Sequence, residues 1–123
     1  NFIETLFTNK EEYDCLFVPT KEDSHFEHKV VNELAFPLTR IKGISIVEYR
    51  TPSTLDSWSP NTFTNITEFF YKKQKQLMLF KSQKDRWYFQ EDLLKSFHSN
   101  FQSYKKGIKY VEKFKTVQFY DRD

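Results

Sequence analysis

The sequence predicts an α+β fold: a mixed, mainly antiparallel sheet of about five strands packed against two or three helices. Three observations predict it. Apolar residues recur at helical spacing in some stretches and alternate in others, and the two patterns are interspersed along the chain. Fourteen of the 123 residues are Phe and 19% are aromatic, so a core can form although only 38% of the chain is hydrophobic. Two Gly and four Pro are too few for a repetitive all-β fold built on tight turns.

Taken in order, Phe2, Ile3, Leu6 and Phe7 share one face at helical spacing and predict a short helix over 1–7. Cys15-Leu16-Phe17-Val18 is an apolar run before Pro19 and predicts a strand, with Cys15 in the core. Ser24 and Glu27 have the S-x-x-E form of a capping box, and Phe26, Val30 and Leu34 then recur every four residues. They predict a helix over about 25–35, ended by Pro37. From Arg40 to Tyr49, Ile41, Gly43, Ser45, Val47 and Tyr49 alternate with Ile44 and Ile46, which predicts a central strand. Residues 51–61 hold two prolines and three serines and predict a long loop.

Ser59-Pro60 has the order of an N-cap followed by proline at N1, and Phe63, Ile66 and Phe70 follow at helical spacing. The expectation is a helix over 60–73, with a strand through Phe63-Thr64 as the alternative. Gln76–Phe80 and Arg86–Gln90 predict a hairpin around a turn at 82–85. The clearest element is a helix over 91–106. Glu91 and Asp92 suit its first turn, Leu94, Phe97, Phe101 and Tyr104 form its apolar stripe, and Lys105, Lys106 and Gly107 mark its end. Residues 108–114 and 116–120 predict closing strands.

The charge is uneven. Residues 1–40 carry four basic and eight acidic side chains, a balance of −4, whereas residues 72–123 carry 13 basic and six acidic ones, a balance of +7. The single Cys15 cannot form an internal disulfide, which favours a reducing compartment. No apolar run reaches the roughly 18 residues that a membrane helix needs, and no signal peptide is visible. Asn65-Ile66-Thr67 is a glycosylation sequon, relevant only on a secretory route. The chain starts with Asn1 rather than Met. The expectation is one domain, 1–123, cut from a larger intracellular protein, nuclear or cytoplasmic.

No catalytic, metal or cofactor site is predicted. His25 and His28 could share a helix face, but a metal site needs further ligands, and only Cys15, Glu27 and His98 are candidates. Glu27-His28-Lys29 has the E-x-K form of some metal-dependent nucleases but falls on a predicted helix, and Glu48-Tyr49-Arg50 has Arg where Lys is needed. Cys15 paired with a distant His is a combination that any such chain contains. Two glycines, Gly43 and Gly107, cannot make a Gly-rich phosphate loop.

What stands out is aromatic residues interleaved with basic ones, in 69–75, 84–89 and 104–115. The stretch Thr62–Gln74 resembles, over about a dozen residues, the helix of the PAZ domain, a family that binds RNA 3′ ends. The Pro-rich strand that follows it in that family is absent here, so no family is assigned. The expectation is a non-enzymatic protein–protein interaction domain, with Trp58, Trp87 and Tyr71 as partner contacts, because aromatic anchors dominate such interfaces. The alternative is a nucleic-acid-binding domain in which Lys72, Lys73, Lys75, Lys84, Arg86, Lys105, Lys106 and Lys109 contact phosphates.

Overall fold

The structure, a computed structural model, describes residues 13–80, 85–101 and 106–121. The helix expected at 1–7 lies outside them, as do 82–84 of the expected hairpin turn and 102–105 of the expected long helix. The chain divides into two compact units. One comprises the chain up to Thr62 together with the residues from Phe114 onward; the other is Phe63–Lys113. The α+β class is observed. Among the described residues there are four strands, three α-helices of eight or more residues, one shorter α-helix and one turn of 3-10 helix.

In the first unit, β1 (Cys15–Pro19) runs parallel to β2 (Ser45–Tyr49), with Cys15 opposite Ser45 and Pro19 opposite Tyr49. Parallel neighbours require a crossover. It is made by α1 (Phe26–Ala35) and α2 (Pro37–Lys42). Val18, Ala35 and Ile46 form the core, with Leu16 and Phe36 against it. The face of α1 that is buried carries Asn32 and Ala35, not the expected stripe of Phe26, Val30 and Leu34. A polar residue on the core face concealed it: the Asn32 amide donates to the Pro19 carbonyl at 2.9 Å. The cap is also shifted. His25 caps α1 through Nδ1, which accepts from the Glu27 amide at 3.2 Å, while Ser24 bonds to the Ser53 carbonyl instead.

The strand expected from Arg40 begins only at Ser45. Pro37 stands at the start of α2, and Gly43 ends it in the left-handed region at φ +63, its amide donating to Thr39 O at 3.0 Å. Beyond Gly43 the expected alternation holds, and Ile44 and Ile46 are buried. Cys15 is exposed rather than core, because alternation along β1 turns Leu16 and Val18 inward and Cys15 and Phe17 outward.

The strands form one mixed sheet in the order β1-β2-β4-β3, where β3 is Thr62–Asn65 and β4 is Val111–Gln118. β4 lies antiparallel to β2, with Tyr49 opposite Phe114 and a bulge between Ile46 and Val47. β4 is one strand where two were expected. Asn61 starts β3: its amide donates to Phe114 O, and its side chain both donates to Thr116 O and accepts from Thr116 N. This pairing selects the strand alternative for 62–65 over a helix beginning at Pro60.

In the second unit, α3 (Phe70–Leu77) keeps the last residues, 70–73, of the expected 60–73 helix and runs on through the start of the strand expected at Gln76. Phe70 is its buried residue, 1% exposed, stacked on Tyr110 with ring centroids 4.1 Å apart. The expected strand at 86–90 is instead a single tight turn, Trp87–Phe89. It leads into α4 (Glu91–His98), which is shorter than the 91–106 expected. Ser99 is extended and bridges Tyr110, and the Asn100 amide donates to Lys109 O at 3.0 Å. That pairing draws the chain out of the helix. Leu94 is buried as expected, but Phe101, past the helix end, is 88% exposed. Gly107 is left-handed, at φ +81, in the turn that returns the chain to β4.

Candidate functional site

The first unit holds a polar centre built on Asp23. Its carboxylate is buried and accepts four hydrogen bonds: from Ser53 Oγ at 2.6 Å, Thr51 Oγ1 at 2.6 Å, the His25 amide at 2.8 Å and His28 Nδ1 at 3.0 Å. Burial alone would raise its pKa, but the bonds from Ser53, Thr51, His25 and His28 hold it well below the usual carboxylate range. Ser, His and Asp meet here without forming a catalytic relay. His28 turns the same nitrogen, Nδ1, toward both Asp23 and Ser53, and Ser53 gives its own proton to Asp23. The centre fastens the loop after β2 to the start of α1.

The imidazoles of His25 and His28 are stacked, centroids 4.4 Å apart and planes 21° from parallel, so their nitrogens do not converge on one point. Among the described residues no three His, Cys, Asp or Glu side chains are grouped to hold a metal ion. Desolvation pushes the Cys15 thiol pKa up, the wrong direction for a nucleophile.

Trp58 is in this unit and is 6% exposed. Its indole donates to Glu48 Oε1 at 3.2 Å, and Asn32 donates to Glu48 Oε2 at 2.9 Å. A buried carboxylate requires such donors. Trp58 is therefore a core residue with its polar tip engaged, and presents no face to a partner. No helix among the described residues is long and apolar enough to cross a membrane.

The second unit holds the exposed aromatics. Tyr71 follows buried Phe70 on α3 yet is 58% exposed. With Lys72, Gln74, Lys75 and Met78, and with Glu91 at the start of α4, it lines an open groove of about 700 Å³. Lys95 bonds to Glu91 at 3.1 Å and stands 5.9 Å over the Tyr71 ring. A smaller depression of about 320 Å³, lined by Ile66, Phe69, Lys72, Lys73, Gln76 and Glu112, shares Lys72 with it. Lys73 is differently placed. Its ammonium is paired with Glu112 Oε1 and donates to His98 Nε2 at 2.8 Å. His98 Nδ1 in turn donates to Leu94 O at 2.7 Å. Burial and the nearby Lys73 charge lower the His98 pKa.

No protein-family model and no curated relative matches the chain. Its fold is shared with a solved structure. That structure is the conserved protein TT1542 from Thermus thermophilus, similar at a TM-score of 0.64 over 89% of this chain, with 15% sequence identity. This chain spans about half of that one, 54%. The likeness is one of fold alone.

Of the aromatics singled out in the sequence, Tyr71 lines the groove and Trp87, 54% exposed, stands edge-on to Tyr88 and Phe97. Of the basic residues, Lys72 and Lys75 line the groove, Lys73 is engaged by Glu112, and Arg86, Lys106 and Lys109 are exposed. Lys84 and Lys105 lie outside the described residues. Sequence reasoning missed Met78 and Glu91 as groove residues. Their signal is present only once α3 is placed at 70–77, since that register sets Tyr71, Lys75 and Met78 along one side.

Proposed function

We propose that this chain is a non-enzymatic protein-interaction domain whose contact surface lies on α3 of the second unit. The carrying observation is Tyr71, a large aromatic left open in a groove beside Met78 while its neighbour Phe70 is buried. Tyr is among the residues that anchor protein interfaces, and such anchors sit in apolar depressions with a polar rim.

Nucleic-acid binding remains the second reading, favoured by Lys72 and Lys75 standing exposed beside the same Tyr71. One experiment separates the two. The purified chain is offered a displayed random peptide library and, in parallel, a pool of single-stranded oligonucleotides. The interaction domain enriches peptides. Retention of oligonucleotides that weakens steeply between about 50 mM and 200 mM salt, with no peptide enrichment, overturns it in favour of nucleic acid.

A further inference from the structure

We infer that the groove on α3 receives a peptide segment in which apolar side chains flank carboxylates, the carboxylates meeting Lys72 and Lys75. This rests on the interaction reading above and adds the chemistry of the partner. The groove and such a segment are complementary in charge. α3 carries Lys72, Lys73 and Lys75 and no acidic residue. Lys73 is neutralised within the unit by Glu112. Lys72 and Lys75 form no ion pair among the described residues, and at i, i+3 spacing they stand on one side of the helix. The one acid among the described residues of the groove wall, Glu91, is already bonded to Lys95. The groove therefore offers two uncompensated ammonium groups around an apolar floor of Tyr71 and Met78.

Lys72 belongs to both depressions, and the smaller one adds exposed Phe69 and half-buried Ile66. A segment crossing α3 at Lys72 would place one apolar side chain against Tyr71 and Met78, another against Phe69 and Ile66, and a carboxylate between them. A polyphosphate backbone fits less well. It needs a continuous row of cations, whereas Glu91 and Glu112 interrupt this one.

The test reads the composition of peptides selected from the displayed library and maps where they bind. The expected peptides place Asp or Glu next to Phe, Leu, Trp or Met. Their affinity falls about tenfold or more with Tyr71→Ala, and by a similar factor in the exposed pair Lys72→Glu/Lys75→Glu. Because Tyr71→Ala removes a ring that touches Phe70, each variant is melted first, and the lysine pair decides the matter if Tyr71→Ala is unstable. Peptides with Glu replaced by Lys should regain binding to the Lys72→Glu/Lys75→Glu variant. Selected peptides without acidic residues, or peptides whose affinity neither change alters, overturn this inference while leaving an interaction domain in place. Failure to select any peptide overturns both.

Discussion

Asp23 and His98 are held in their charge states by neighbours, and each makes stability depend on pH in its own window. For Asp23 the folded pKa lies below the ordinary 3.8, so the unfolded chain takes up the proton first. Its contribution is complete above that value and is lost as pH falls below it. At neutral pH, Asp23→Ala leaves Ser53, Thr51 and His28 without their acceptor. It should cost about 3 kcal/mol, read as a lower urea midpoint for the loss of Trp58 burial; a cost near zero would show that water satisfies these donors equally well. For His98 the folded pKa lies below the ordinary 6.5. The neutral ring donates to Leu94 O and accepts from the Lys73 ammonium, with Glu112 and Lys113 the other charges facing it. Protonation would set two cations against each other at 2.8 Å. Stability is full well above 6.5 and declines as pH falls through 6.5 toward the folded pKa, so the melting temperature followed through Trp87 should be highest at neutral pH and drop as the solution is acidified below that value. His98→Gln should flatten that drop, and an unchanged slope would place the titration elsewhere. Neither network is legible in the sequence, since its members lie up to 39 positions apart. The burial of Trp58 was closer to hand. Glu48 shares a strand face with Ile44 and Ile46, so a buried carboxylate needing donors is implied, and Trp58 carries one ten positions on.

Elements were legible where one periodicity agreed with its punctuation. β1 and α1 follow the apolar run and the Pro37 stop, and the loop over 51–61 follows its prolines and serines. Elsewhere pattern and punctuation conflicted. Alternation from Ile41 to Tyr49 reads as one long strand, yet Pro37 and Gly43 are a helix start and a helix stop, and they prevail. Gly43 at φ +63 is therefore required by α2. Gly43→Ala should cost about 1–2 kcal/mol in denaturant unfolding, whereas an unaltered midpoint would mean that α2 ends differently. The apolar stripe of 91–106 misled in the opposite way. Leu94, Phe97 and Phe101 continue the helical spacing beyond His98, but backbone pairing of Ser99 and Asn100 with 109–110 takes precedence. Such non-local pairing leaves no trace in local periodicity. It also moved the candidate site, since Tyr71 and Met78 belong to one groove only if residues 70–77 are helical.

At the scale of the molecule, residues 63–113 are a compact unit inserted between two stretches of another. Composition hints at this through the basic excess that begins at Lys72, but the boundary itself falls within β3 and β4 and has no compositional mark. The first unit has what an independent fold needs: a parallel pair with its helical crossover, the Val18, Ala35 and Ile46 core, and the Glu48 and Asp23 networks. The insertion leaves and returns at one place, for Ile66 N bonds to Tyr110 O at 2.9 Å. Removing residues 66–110 and joining Asn65 to Val111 through a two-residue Asn-Gly turn would thus convert β3 and β4 into a tight hairpin. A short loop also closes at lower entropic cost than the long insertion it replaces. The shortened chain should retain cooperative unfolding and the blue-shifted emission of a buried Trp58, the only tryptophan left in it. It should also lose all peptide binding, because Tyr71, Lys72, Lys75 and Met78 go with the insertion. Exposed Trp58 emission without a cooperative transition would show that the first unit depends on the second. Retained peptide binding would place the contact surface on the first unit, where Phe17 and Tyr49 are the exposed aromatics of the sheet.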